Sequence, residues 1–128
     1  MKYIIDGYAW IEYFIGSSKG KVLRDLFLGE RNEFFTIDCC LAEIHGWALK
    51  NSQEFSELLK IIKANSEILV SSENIWIFSG KERFEQKKRQ KDFGIIDSVI
   101  LVKQQELGCK IITGDKHFKN FKNAIFLG

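Results

Sequence analysis

The 128-residue chain has no proline, three cysteines and no long apolar run. Its longest apolar stretches are a handful of residues, far below the roughly 20 that a membrane-spanning helix needs. The apolar N-terminal stretch contains Lys2 and then Asp6, which argues against a secretory signal peptide. We therefore expect a cytoplasmic protein that does not associate with a membrane.

The cysteines do not favour a metal site. The chain has an odd number of cysteines, and two of the three are adjacent: Cys39, Cys40 and Cys109. No C-x-x-C pair occurs. The spacing makes a zinc site improbable, and buried structural thiols are the simpler interpretation.

Three classes of α/β protein are disfavoured by residues that the chain lacks. A P-loop nucleotide-binding protein needs a Gly-rich loop followed by Lys and Ser or Thr, and none is present. An aspartate-nucleophile phosphatase has a second acid two residues after the first, but Tyr8 stands there. A phospho-receiver domain opens with an acidic pair, which is also missing.

The composition is that of one folded domain spanning residues 1–128. Hydrophobic residues make up 45% and charged residues 28%, which is enough apolar material for a core. The net charge of +2 is uneven, because residues 81–122 contain 11 Lys or Arg against 6 Asp or Glu. This asymmetry is compatible with a polyanionic partner and does not require one.

Strand-like and helix-like segments alternate along the chain. The apolar, β-branched stretches KYII, EFFTI, EILV, KIIT and AIFL predict strands, and amphipathic segments between them predict helices. Asp38 stands where a helix N-cap is expected, and Gly108 where a helix ends. The pattern predicts a three-layer α/β/α fold around a parallel sheet of four to five strands.

Four acids have positions that suggest chemistry. Asp6 directly follows the first predicted strand, Asp115 follows the fourth, and Glu43 and Asp97 lie in apolar surroundings near helix starts. Ligands of open parallel sheets bind beyond the carboxyl ends of the strands, where these acids are expected. Each acid also has a purely structural explanation, as a turn former, a helix cap or a partner of the helix dipole.

Four carboxylates at one edge would repel one another unless a cation lay among them. Hard oxygen ligands suit Mg²⁺ or Mn²⁺, and such ions can activate water and stabilise the leaving oxygen of a phosphodiester. Acidic ligands beside a basic segment therefore indicate a metal-dependent nuclease.

Three segments carry a resemblance to a known family. YIIDGYAWIEYF at the start, LAEI in the middle and DFGIIDSVILVKQQELGCKIITGDKHFKNF at the end resemble PIN-domain ribonucleases, especially VapC-type toxins of toxin–antitoxin pairs. The last segment is the most specific, because it places Asp97 and Asp115 18 positions apart, before a Thr-Gly-Asp-x-x-Phe ending.

The resemblance implies a PIN-like fold and an endoribonuclease that uses Mg²⁺ or Mn²⁺. It implies that Asp6, Glu43, Asp97 and Asp115 are the catalytic, metal-binding acids and that Thr113 supports them. It also implies RNA as substrate, an antitoxin as partner and a homodimer.

The chain departs from the family pattern at two places. Many members have Ser or Thr where this chain has Gly7, and many have another acid where it has Lys116 and His117. These departures keep an alternative open, a catalytically weak or inactive module that binds RNA or a protein partner.

Several other residues are candidates for secondary roles. Phosphate contacts are expected from the basic residues of the C-terminal half, unless they only form a solvated helix end: Lys87, Lys88, Arg89, Lys91, His117 and Lys119. His117 is also a candidate general acid. The aromatic group of Trp10, Tyr13 and Phe14 predicts core packing or an oligomer interface.

Overall fold

A computed structural model describes residues 1–128. The elements in chain order are β1 (Lys2–Ile5), α1 (Gly7–Ile15), α2 (Ser18–Phe27), β2 (Glu33–Ile37), α3 (Asp38–Lys50), α4 (Phe55–Asn65), β3 (Glu67–Leu69), α5 (Glu73–Gln86), α6 (Ile95–Leu107), β4 (Lys110–Thr113), a short 3-10 helix (Lys116–Phe118) and β5 (Ala124–Phe126).

The five strands form one parallel sheet with β1 at its centre. Their order is β3-β2-β1-β4-β5, and every neighbouring pair is parallel. Helices connect the strands and pack on both faces of the sheet, because a parallel sheet exposes apolar side chains on each side. The predicted three-layer α/β/α fold is confirmed.

The strand order reverses at β1. The chain runs outward from β1 to β2 and β3, and then returns to β4 on the other side of β1. In open α/β sheets, ligands bind at such a reversal, beyond the carboxyl ends of the two strands. β1 ends directly before Asp6. β4 ends at Thr113, and Asp115 follows after one intervening residue.

Two apolar clusters form the core, one on each face of the sheet. Ile4 and Ile111 belong to one cluster, whereas Ile5 and Ile112 belong to the other. The division arises because successive side chains of a strand point to opposite faces. No helix in the structure combines the length and the apolar character needed to cross a membrane.

The aromatic group of α1 is part of the second cluster. Trp10 is fully buried, and its ring stacks on Phe14 and meets Tyr13 edge-on. The indole N–H donates to Thr36 Oγ1 at 3.0 Å, which satisfies the one polar group of the buried ring. Core packing, one of the two predictions for these aromatics, is confirmed.

Asp38 is not the N-cap of α3, contrary to the prediction. The cap is Ile37, and Asp38 is the first residue of the helix. The Asp38 carboxylate instead accepts hydrogen bonds from the backbone N–H of Ser71, at 2.9 Å, and from its hydroxyl, at 2.7 Å. Two bonds to the segment after β3 thus replace the single bond that a cap would make.

Candidate metal centre

Asp6 and Asp115 are linked through the end of β4. Asp6 is 4% exposed and caps α1, with its Oδ1 accepting the Ala9 N–H at 2.8 Å. Its other oxygen accepts a hydrogen bond from the Thr113 hydroxyl. The Thr113 Oγ1 in turn accepts the backbone N–H of Asp115 at 2.9 Å. Thr113 therefore fixes the positions of both acids.

Glu43 reaches the same place from α3. Its carboxylate lies against Gly7, such that a Cβ on Gly7 would be 2.7 Å from Glu43 Oε1. Gly7 has no side chain, and the Glu43 carboxylate takes up the space that one would need. This close approach gives a physical reason for the glycine.

Asp97 and Asp115 are held at the starts of two helices. Asp97 lies in the first turn of α6, where its Oδ2 accepts the Gly94 N–H at 3.1 Å. Asp115 caps the 3-10 helix, and its Oδ1 accepts the His117 N–H at 2.9 Å. The structural roles considered for the acids are thus real. They also fix the carboxylates in position, so structure and function do not exclude each other.

The charges of these acids affect one another, and Asp115 is their common neighbour. Burial raises the pKa of Asp6 to about 7, against the hydrogen bonds from Thr113 and Ala9, and the charges of Glu43 and Asp115 add to the rise. Burial and Asp115 also raise the pKa of Glu43. Burial raises the pKa of Asp97 to about 6, with a further contribution from Asp115.

His117 lies among the acids. Its Nδ1 is 2.8 Å from Asp115 Oδ1 and 3.1 Å from Asp97 Oδ2, and its Nε2 is 3.0 Å from Asp92 Oδ1. Burial lowers the pKa of His117, but the contact with Asp92 and the charges of Asp115 and Asp97 outweigh burial and raise it. The sequence placed His117 at the site for phosphate contact or proton transfer, and its three carboxylate neighbours were not foreseen.

The donor set fits a divalent cation. Ligand atoms of Asp97, Asp115 and His117 lie within 4.8 Å of one another, whereas Asp6 and Glu43 are not part of this group. Burial, with a smaller contribution from mutual repulsion, raises the pKa values of Asp6, Glu43 and Asp97, so the site without an ion favours protons. A bound cation would favour the charged carboxylates instead. Carboxylate oxygens are the ligands that Mg²⁺ and Mn²⁺ prefer.

The basic run after α5 adjoins this site. The side chain of Gln90, within the run, donates to the His117 carbonyl at 2.8 Å. Lys88 pairs instead with Glu85 on the surface, at 3.1 Å. Lys119 directly follows the 3-10 helix. The segment from 87 to 91 therefore lies beside the 3-10 helix, as the position of the run before Asp97 suggested.

Asp92, Gln90 and Tyr8 are neighbours of the site that the sequence did not single out. The Tyr8 ring packs on Gly114, where any Cβ would clash with it, and the Tyr8 hydroxyl accepts a hydrogen bond from Lys19 at 3.1 Å. Asp92 lies five residues before Asp97, a spacing with no recognised signal.

Gly7→Ala should displace the Glu43 carboxylate, because the added Cβ would lie within 3 Å of it. We expect at least about tenfold weaker Mn²⁺ binding, measured by calorimetry. Gly46→Ala on α3 is the matched control, since a Cβ there meets nothing within 4 Å. Equal Mn²⁺ affinities for the two variants would show that Glu43 takes no part in the centre.

Several solved structures that share this fold are described as toxins or as toxin–antitoxin complexes. A toxin–antitoxin complex from Klebsiella pneumoniae has a TM-score of 0.75 at 20% identity, over 98% of each chain. VapBC2 from Rickettsia felis, bound to a DNA fragment from its promoter, has a TM-score of 0.74 at 19% identity. The match covers 98% of this chain and 97% of that one. VapC20 of Mycobacterium tuberculosis, a toxin that cleaves the sarcin–ricin loop, has a TM-score of 0.73 at 9% identity. The match covers 94% of this chain and 95% of that one.

At identities this low, the likeness establishes a shared fold. No protein-family model matches the chain, and no curated protein matches its sequence.

Proposed function

We propose, from the fold that this chain shares with VapC-type PIN domains, that it is a Mg²⁺- or Mn²⁺-dependent endoribonuclease and the toxin of a toxin–antitoxin pair. The geometry that supports the proposal lies at the carboxyl edge where the strand order reverses. There Thr113 is hydrogen-bonded to both Asp6 and Asp115, and the Glu43 carboxylate lies against Gly7, the residue after Asp6. Oxygens of Asp97 and Asp115 both lie within 3.1 Å of His117 Nδ1. The neighbouring structures support the proposal, because two of them are a toxin–antitoxin complex and a VapBC protein, and a third is a toxin that cleaves the sarcin–ricin loop.

In this proposal Asp6, Glu43, Asp97 and Asp115 hold the cation. A bound Mg²⁺ or Mn²⁺ would polarise the attacking water and stabilise the charge that develops on the phosphodiester. The carboxylates do not bond to the substrate. Their positions are set by the Thr113 hydroxyl, by the cap of α1 and by the Gly94 N–H, so little rearrangement is needed when the ion binds.

The RNA backbone would contact the basic residues beside the site. Lysine and arginine neutralise phosphates without reading the base sequence, so these residues would supply affinity rather than specificity. The substrate-binding residues that we propose are Lys87, Lys88, Arg89, Lys91 and Lys119. His117, expected from the sequence to contact phosphate, is not among them, because both its ring nitrogens are buried beside carboxylates. Lys88 contributes least among them, because it already pairs with Glu85.

The surface of α5 supports a role for protein partners. Trp76, Ile77, Phe78 and Phe84 are between 43% and 66% exposed. Contiguous apolar side chains of this size on a surface are typical of contact sites. The proposed assembly is a homodimer bound by an antitoxin, and it acts on RNA in the cytoplasm.

Two measurements test the proposal together: the dependence of RNA cleavage on the metal ion, and the effect of Asp97→Asn. Purified protein should cleave RNA with Mg²⁺ or Mn²⁺ and lose cleavage in EDTA, with recovery when Mn²⁺ is restored. The variant should cleave at least about 100-fold more slowly, because the amide keeps the hydrogen bond from Gly94 but is a poor cation ligand. Cleavage that persists in EDTA, or in Asp97→Asn at the original rate, would overturn the proposal.

A module without catalysis is the second candidate, and one observation favours it. When protonated, His117 is a cationic partner for Asp97, Asp115 and Asp92, and it would then offset part of their charge without a metal. Calorimetric titration separates the two functions. Absence of heat from Mn²⁺ at millimolar concentration, together with intact RNA binding, would support the module.

A further inference from the structure

We propose that His117 binds the cation directly through Nδ1, beside Asp97 and Asp115, and that this nitrogen makes the centre favour Mn²⁺ over Mg²⁺. The inference rests on the metal dependence proposed above and assigns a nitrogen ligand to a site otherwise made of oxygen. It concerns the position at which related chains commonly have an acid.

The distances fit ligands of one ion. An octahedral ion with bonds of about 2.1 Å holds neighbouring donor atoms about 3 Å apart. His117 Nδ1 lies 2.8 Å from Asp115 Oδ1 and 3.1 Å from Asp97 Oδ2. The nitrogen therefore has the spacing of a ligand adjacent to two carboxylate oxygens.

The missing hydrogen bonds of the ring nitrogens are compatible with a metal ligand. Both ring nitrogens are buried, and neither makes a hydrogen bond of acceptable geometry despite the nearby oxygens. Around an octahedral ion, each donor points at the ion and about 45° away from its neighbours. A nitrogen in that orientation cannot direct an N–H along the line to either oxygen. A simple imidazolium–carboxylate pair would be expected to align its N–H with an acceptor.

The protein holds the ring in this place. The backbone N–H of His117 donates to Asp115, and its carbonyl accepts from Gln90, so both sides of the residue are fixed. The ring packs edge-on against Phe93, with 5.7 Å between centroids, and the side chain is 12% exposed. A ligand fixed in this way loses little conformational entropy when it binds an ion.

Asp92 completes the arrangement. Histidine ligands usually give their second ring N–H to a carboxylate, which leaves the other nitrogen free for the metal. Asp92 Oδ1 lies 3.0 Å from His117 Nε2, and the Asp92 side chain is 66% exposed and free to turn toward the N–H. Asp92 is thus a positioning residue, because it acts through His117.

A nitrogen ligand changes which ion the centre prefers. Mg²⁺ binds almost entirely through oxygen, whereas imidazole binds transition metals well. Mn²⁺ accepts carboxylate oxygen and imidazole nitrogen together, so one imidazole among carboxylates favours Mn²⁺. Replacement of the imidazole with a carboxylate should move the preference back toward Mg²⁺.

The first experiment uses the full chain loaded with Mn²⁺. Electron spin-echo envelope modulation should show coupling between Mn²⁺ and an imidazole nitrogen in the wild-type protein. His45→Asn, which removes the other histidine of the chain, should keep the coupling, since His45 stacks on Phe55. His117→Asp should lose it. Bound Mn²⁺ without imidazole coupling in the wild type would overturn this inference and leave the proposed nuclease intact.

The second experiment measures Mn²⁺ and Mg²⁺ dissociation constants by calorimetry. The preference for Mn²⁺ over Mg²⁺ should fall at least about tenfold in His117→Asp and stay unchanged in His45→Asn. An unchanged preference in a folded His117→Asp protein would overturn the inference. Failure of the wild-type protein to bind Mn²⁺ at all would overturn both this inference and the proposed function. The wild-type spectrum decides the question even where a variant does not fold.

Discussion

Asp6→Asn is expected to abolish RNA cleavage while leaving the fold at least as stable as before. Loss of one charged ligand from the centre should remove about 4 kcal/mol of transition-state stabilisation, or about 1,000-fold in rate. The amide can still cap α1, because asparagine is as good an N-cap as aspartate. It also removes a carboxylate whose burial raises its pKa to about 7, which is an unfavourable charge in the bare site.

The two readouts should therefore move in opposite directions. The rate of single-turnover RNA cleavage should fall, whereas the melting temperature in EDTA should stay the same or rise. Asp25→Asn is the matched control, since Asp25 is on α2 with a side chain 59% exposed, and both its readouts should stay unchanged. A stable Asp6→Asn protein with more than a tenth of the original rate would show that Asp6 is only a helix cap.

Mn²⁺ should stabilise the protein strongly at pH 8 and weakly at pH 5. At 100 times its dissociation constant, a bound ion adds about 2.7 kcal/mol, on the order of 10 °C in melting temperature for a chain of this size. At pH 5 the carboxyl groups of Asp6 and Asp97, with pKa values of about 7 and 6, are mostly protonated. The ion must then displace protons, which weakens its binding.

The metal-free protein should lose stability as the pH rises. The folded pKa values of Asp6 and Asp97 lie above the usual value of 3.8, so the folded state binds more protons than the unfolded state. Stability therefore falls from about pH 4 to pH 7. The raised pKa of His117 acts in the same direction, because its stabilising charge is lost as the pH passes that raised value.

Scanning calorimetry from pH 5 to pH 8, in EDTA and in Mn²⁺, checks both statements. Asp6→Asn should flatten the pH dependence in EDTA, since the largest titrating contribution is gone, and Asp25→Asn should not. A melting temperature that rises toward pH 8 in EDTA, or an equal gain from Mn²⁺ at both pH values, would contradict the expectation.

The sheet and the edge that carries the acids were predictable because they follow from the order of short segments. The first and fourth predicted strands end just before Asp6 and Asp115, and parallel strands bring their carboxyl ends to one edge. The end of α6 at Gly108 was equally predictable from the sequence. The residue there adopts a left-handed φ of 60°, which glycine tolerates.

Contacts between distant side chains were not predictable in the same way. The Asp38–Ser71 bonds and the Asp92–His117 contact join segments whose relative positions depend on packing. The φ of Gly114 is not positive, so a left-handed turn is not the reason for the glycine. The glycine is needed because the Tyr8 ring lies against it. No local pattern near residue 114 indicates a tyrosine more than 100 positions away.

The hydrogen bond from Thr113 to Asp6 also has a consequence for synthesis of the chain. The two residues are 107 positions apart and meet only when β4 inserts beside β1. Contacts of such long sequence separation form late, since the intervening chain must first be ordered. An incomplete chain that has emerged from the ribosome without β4 contains Asp6 and Glu43 but no Asp115 to join them. The proposed activity therefore arises only once β4 has joined the sheet and brought Asp115 to Asp6.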